Sequence, residues 1–142
     1  MTDFTGKSWM AAGETDDPNA VIESYVAEAA ITKGAPVYLS SDGKVSESPG
    51  GDDAIGIAVQ NASIAAECPV LTHGRVKVTA NGAIARGKAV CSAAARKVTQ
   101  FVDQAVDEGG AATYTIFYNR KLGTALQTTA ADGDLLFINV EK

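Results

Sequence analysis

Alternation of charged or polar residues with small and β-branched ones is plainest at Arg75-Val76-Lys77-Val78-Thr79-Ala80, just before the turn pair Asn81-Gly82. A two-residue period of this kind predicts a strand with one face buried. Residues 20–31, AVIESYVAEAAI, are rich in Ala and Glu and on propensity alone would pass for a helix. A repeat decides between the two readings. Residues 21–46 align without a gap on residues 74–99, matching at Ala27/Ala80, Ala30/Ala83, Ile31/Ile84, Gly34/Gly87, Val37/Val90, Lys44/Lys97 and Val45/Val98. If the two copies share a fold, Glu23 to Ala27 is a strand like its counterpart.

Each copy continues with Ile-x-Lys/Arg-Gly-x-x-Val, a loop whose glycine is free to take positive φ, feeding a strand at Pro36–Leu39 or Ala89–Ser92. In the first copy Ser41-Asp42-Gly43-Lys44 predicts a hairpin returning into Val45. The second copy has Ala94-Ala95-Arg96-Lys97 there, without glycine, so its turn is expected to differ. Ala54–Gln60 reads as a buried strand and Glu67–Leu71 as another, with a break at His73-Gly74 before the second copy begins. A second matched pair, IGIAVQNA at 55–62 against LGTALQTT at 122–129, extends the repeat. It sets Cys68 opposite Leu135 and His73 opposite Val140. Between the halves of the second copy lies an enlargement at 100–121, with Gly109-Gly110 as a turn and Thr113–Tyr118 as a strand. Leu122–Gln127, a turn at Ala131-Asp132-Gly133-Asp134 and the apolar strand Leu135–Val140 close the chain.

About ten short strands with turns every 8–12 residues predict a mainly β domain, barrel or sandwich, over residues 21–142, with pseudo-repeats 21–73 and 74–142. Residues 1–20 show neither period and read as an extended, flexible N-terminal arm. Phe4, Trp9 and Met10 are out of place in a free tail, since nothing would bury them, and they point to a partner surface.

Composition sharpens this picture. A chain of 142 residues is large enough for one domain that buries roughly two-thirds of its unfolded surface. Its 46% hydrophobic content is mostly Ala and Val, which suits thin packing layers. A net charge of −5 leaves no basic stripe to displace counterions from a phosphate backbone, so nucleic acid is not an expected partner. The first seventeen residues lack the basic and apolar regions of a signal peptide, and no run approaches a membrane span, so a soluble, unexported chain is expected.

Candidate chemistry is sparse. The single histidine, His73, lies beside Gly74 with no G-x-S-x-G elbow in the chain. Asp52/Asp53 and Asp132/Asp134 sit in turns where water keeps carboxylates ionised, unlike a general acid. Neither Asp132-Gly133-Asp134 nor Glu14-Thr15-Asp16-Asp17 has calcium-loop spacing. Cys68 and Cys91 have no metal-like spacing and read as buried, reduced thiols. The expectation is no enzyme, no cofactor and no metal.

The Ile-x-Lys/Arg-Gly-x-x-Val loop, a hairpin ending Lys-Val, Ile/Leu-Gly-x-Ala and a final strand, twice over in residues 21–142, resemble the capsid decoration, or cement, proteins of tailed bacteriophages. The chain departs from that pattern at Arg96, where a turn glycine is usual, and in the insertion at 100–121. The resemblance implies a compact β-barrel or β-tulip-like domain without enzymatic activity, with turn glycines at Gly34, Gly56, Gly87 and Gly123. It further implies a virion protein on the outer capsid surface, commonly a homotrimer, clamping major capsid proteins. The arm, through Phe4, Trp9 and Met10, would contribute by strand addition. A reading of another class, a carbohydrate- or receptor-binding module, rests on Trp9, Tyr114 and Tyr118 as stacking platforms.

Overall fold

The computed structural model describes residues 10–101, 104–108, 111–115 and 120–142, the third and second of these segments as backbone only. Its strands are β1 (Val21–Ala27), β2 (Pro36–Ser41), β3 (Lys44–Glu47), β4 (Gly56–Ala58), β5 (Glu67–Thr79), β6 (Ala89–Ala93), β7 (Lys97–Gln100), β8 (Gln104–Glu108), β9 (Ala111–Thr115), β10 (Lys121–Ala125) and β11 (Leu135–Glu141). Within the stretch 20–31 the chain is thus a strand over Val21–Ala27 and nowhere a helix, because tertiary pairing overrides the propensity of Ala and Glu. The strand expected at Thr113–Tyr118 is seen as β9 to Thr115. Its remainder and the Gly109-Gly110 turn lie outside the described residues, and the partner strand β8 was not anticipated.

Pairing closes the first copy into a ring. β1 pairs antiparallel with β5, β5 with β4, β4 with β2 and β2 with β3, and β3 returns in parallel to β1 through Val26/Lys44 and Ala27/Val45. The second copy repeats that circuit with the latter half of β5 in the place of β1. β5 pairs with β11, β11 with β10, β10 with β6 and β6 with β7, and a parallel bridge Ala80/Val98 completes it. This bridge is the counterpart of Ala27/Val45. Bridge Ile31/Ala62 likewise recurs as Ile84/Thr129, and Gly34 N–H to Ala58 O (2.8 Å) recurs as Gly87 N–H to Ala125 O (2.8 Å).

The expected break at His73-Gly74 is corrected: β5 runs through it, serving as the last strand of one ring and the first of the next. Gly74 makes this passage possible with φ +121, and a Cβ there would come within 3.0 Å of Ala20. The repeat register is also corrected by one residue near the C-terminus. Ala27 N–H bonds Ala66 O (2.9 Å) as Ala80 N–H bonds Asp134 O (2.7 Å), which places Cys68 opposite Leu136, while the bulge between Val21 and Ile22 returns His73 to its expected place opposite Val140. One extra residue in the loop before β11 accounts for the slip.

Each ring has its own core. Ala27, Ile31, Val37, Val45, Cys68 and Val70 fill the first. Val76, Val78, Ile84, Val90, Val98, Leu122, Leu136 and Ile138 fill the second, joined by Ile57 and Leu71 from the outer face of the first ring. Those two side chains, both fully buried, weld the units together. A buried Ser48–Ser92 hydroxyl bond of 2.9 Å adds a polar tie between them.

Candidate functional site

Residues 10–20 are not a free arm, and the expected boundary at residue 20 is corrected. The segment is strapped antiparallel along the edge of β5. Gly13 N–H donates to Lys77 O (2.8 Å) and Lys77 N–H to Glu14 O (3.0 Å). Thr15 Oγ1 donates to Arg75 O, and Arg75 N–H donates to Asp17 Oδ2 (3.1 Å). The Arg75 guanidinium pairs with Asp16 Oδ1 at 2.9 Å, and Lys33 of the first ring reaches Glu14 Oε2 at 3.0 Å. Beneath the strap lie Lys77 and Phe137, 5% and 0% exposed, with the Lys77 ammonium 5.1 Å from the ring centroid. Met10, 3% exposed, is buried here and so is withdrawn from the set of arm side chains available to a partner. Phe4 and Trp9 lie outside the described residues. A shallow groove of about 400 Å³, lined by Met10, Gly13, Lys33 and Val59 among others, runs where the strap crosses the first ring.

The acidic run Glu14-Thr15-Asp16-Asp17 is thereby accounted for as the strap's fastening. Asp17 is held below the ordinary aspartate range by the Asn19 amide first and the Arg75 amide second. Glu14 is lowered likewise by the Ala11 amide and then by Lys33. Asp134 accepts from the Ala130 and Ala131 amides (3.2 and 3.1 Å) within its own turn, and Asp132 pairs with Lys97 at 2.9 Å. His73 is exposed on β5. Burial pushes the thiols of Cys68 and Cys91 upward, and both are free. Among the described residues no three His, Cys, Asp or Glu side chains gather as metal ligands.

The four singled-out glycines occupy two kinds of place. Gly34 and Gly87 stand in matching turns at φ +93 and +84. Gly34 is further confined by the strap, since a Cβ would come within 2.8 Å of the Ala12 side chain. Gly56 and Gly123 are corrected from turns to strand positions, the first residue of β4 and the middle of β10. A Cβ there would come within 2.3 Å of Leu71 O and 2.1 Å of Asn139 O, so they permit close backbone approach. Arg96 and Ala95 take φ +62 and +61 where the first copy uses Gly43 at φ +70, so the two hairpins do differ. Tyr114 and Tyr118 have no described side chains, so the sugar-stacking face lies outside the described residues.

The strap and its anchors were not foreseen from sequence. The signal available was an acidic run at 14–17 together with Arg75 and Lys77, cations on a strand whose counterpart carries Ile22 and Ser24. Among the described residues nothing is strapped along that counterpart. β1 has the same open edge, and its residues 21–24 are all exposed, Val21 and Ile22 at 45% and 48%.

Comparison with known proteins adds the following. A sequence profile of the family described as phage cement protein matches residues 17–141. No curated protein matches the sequence. Among solved structures, the head fibre N base of bacteriophage phi29 is similar in fold, with a TM-score of 0.58 at 12% identity, over 86% of this chain and 94% of that one.

Proposed function

The chain belongs to the phage cement protein family, and from that premise we propose that it binds the outer surface of the expanded major capsid protein lattice and stabilises it. The observation that carries this reading is the family match, which spans both rings and reaches into the strap at residue 17. The phi29 head fibre base supports the fold at the scale of the whole domain. The molecule's construction agrees: a closed five-strand barrel fused through β5 to a second ring, each with a buried aliphatic core, makes a stiff block, and binding only the expanded lattice would favour that state by mass action. Within this reading the protein acts without catalysis and assembles as a homotrimer, and Phe4 and Trp9, upstream of the strap, fill pockets on the shell.

Co-sedimentation of the purified chain with expanded, undecorated capsids of its source virus tests this. Saturable binding at a fixed copy number per shell is expected, and none, with folded protein and competent shells, would overturn it. Removal of residues 1–9 leaves the strap and both cores in place, so the truncated chain should melt like the full one while binding shells about tenfold or more weakly. Undiminished occupancy would remove the arm from the interface.

A further inference from the structure

We propose that the outward edge of β1, at Ile22 and Ser24, is a strand-addition site for an extended, apolar segment carrying Lys or Arg, supplied by the capsid protein. This deepens the proposed function and rests on it.

The argument starts from the internal repeat. Ile22 and Ser24 are the counterparts of Arg75 and Lys77, the residues to which the strap is paired. Val26 N–H points away from β5 to Gly43 O (3.2 Å). Backbone direction alternates along a strand, so Ile22 and Ser24 also turn their N–H and C=O outward. Lys77 uses that same pair of groups to hold Gly13 and Glu14. β3 covers only Val26 and Ala27 of β1, and among the described residues no segment pairs with the edge at Ile22 and Ser24. The chain therefore shows, on one ring, how an extended segment seats on an edge that the other ring leaves open. An uncovered edge of this kind is a template for pairing.

The same comparison gives the chemistry of the occupant. Around the bare edge stand Val21, Ile22, Val26 and Leu39, between 37% and 50% exposed, and the carboxylates Glu23, Glu28, Asp42 and Glu67, all exposed, against Lys44. In the second ring the counterparts of these four acids are Val76, Asn81, Ala95 and Leu135, none of them charged. On strands and hairpin the open edge thus carries carboxylates that the strapped edge lacks, and they complement a basic segment. A second copy is a poor occupant. Antiparallel β1-to-β1 pairing centred on this site would set Glu23 against Glu23, which is destabilising. A neighbour's strap would bring Glu14, Asp16 and Asp17 to a place where Ile22 stands instead of Arg75.

The test uses the full chain and expanded, undecorated capsids of its source virus. Ser24→Pro removes the outward N–H, which the β1–β5 ladder does not use, and proline is tolerated on such an edge. Ile22→Glu places a charge on an exposed side chain and guards against a folding defect in the proline variant. Both should melt like the wild type and lose about tenfold or more in shell affinity, and wild-type binding should weaken as salt rises. Wild-type affinity in both variants, with the parent bound, would overturn the edge and leave the cement reading standing. Failure of the parent to bind would overturn the two together. Loss of a self-associated state of the free protein on Ser24→Pro would assign the edge to a second copy and overturn the choice of capsid partner.

Discussion

At the scale of single residues, the repeat makes one copy a control for the other. Ala65 and Gly133 occupy matching loop positions, where Ala65 N–H bonds Ala27 O (2.8 Å) and Gly133 N–H bonds Ala80 O (2.9 Å). Both have positive φ, +68 and +92, a region that costs a residue with Cβ about 1 kcal/mol. A Cβ on Gly133 would meet nothing within 4 Å, so only the backbone term acts there. Gly133→Ala should destabilise by about 1 kcal/mol, and Ala65→Gly should stabilise by a few tenths up to about 1 kcal/mol after the entropy of the unfolded glycine is counted. Gly123→Ala is a different matter, because its Cβ would lie 2.1 Å from Asn139 O and backbone must move; a loss of about 3 kcal/mol is expected. Urea unfolding of the three variants measures all of this, and an equal cost for Gly133→Ala and Gly123→Ala would refute the distinction.

At the scale of elements, the strap is fastened by carboxylates, and its hold depends on their charge. Asp17 and Glu14 have pKa values below the ordinary range when folded. Groups lowered in this way contribute stability that is present above the unfolded value, about 4, and lost as pH falls through the folded one. Acidification from pH 5 towards pH 2 should therefore loosen the strap, read by NMR as movement of the Gly13 and Lys77 amide resonances before those of β10. Asp17→Asn should shrink the pH-dependent part of that response, and an unchanged profile would show that Asp17 does not set it. The strand path itself was largely legible, because Arg75–Ala80 alternates cleanly and the repeat transfers that reading to β1. The strap was not, since it is held by main-chain bonds and by acids whose partners are distant in sequence, Arg75 lying 58 and 59 residues from Asp17 and Asp16. Gly56 and Gly123 were misplaced for a related reason: glycine in sequence signals freedom of φ, whereas here it answers to a neighbouring strand that only the fold brings near.

At the scale of the whole molecule, the two rings do not stand as separate domains, because β5 belongs to both and Leu71 and Ile57 of the first ring are buried in the core of the second. Sequence periodicity gave two units and a break between them. It could not show that the break is bridged, because Gly74 reads as a turn residue until its neighbours Asp17 and Ala20 on the strap and Val140 on β11 are known. A shared strand and a shared core make unfolding one event, since neither ring can close without β5. Leu71→Ala removes a fully buried side chain from the seam and should cost about 3 kcal/mol, lowering the midpoint of one common transition. Val45→Ala, deep in the first ring only, should shift that same transition as a whole, so that probes placed in either ring report one midpoint. Two separated transitions in calorimetry, with the second ring unmoved by Val45→Ala, would show that the rings fold independently. A single transition would suit the capsid-stabilising role proposed above, because a block that came apart between its rings could not carry load from one to the other.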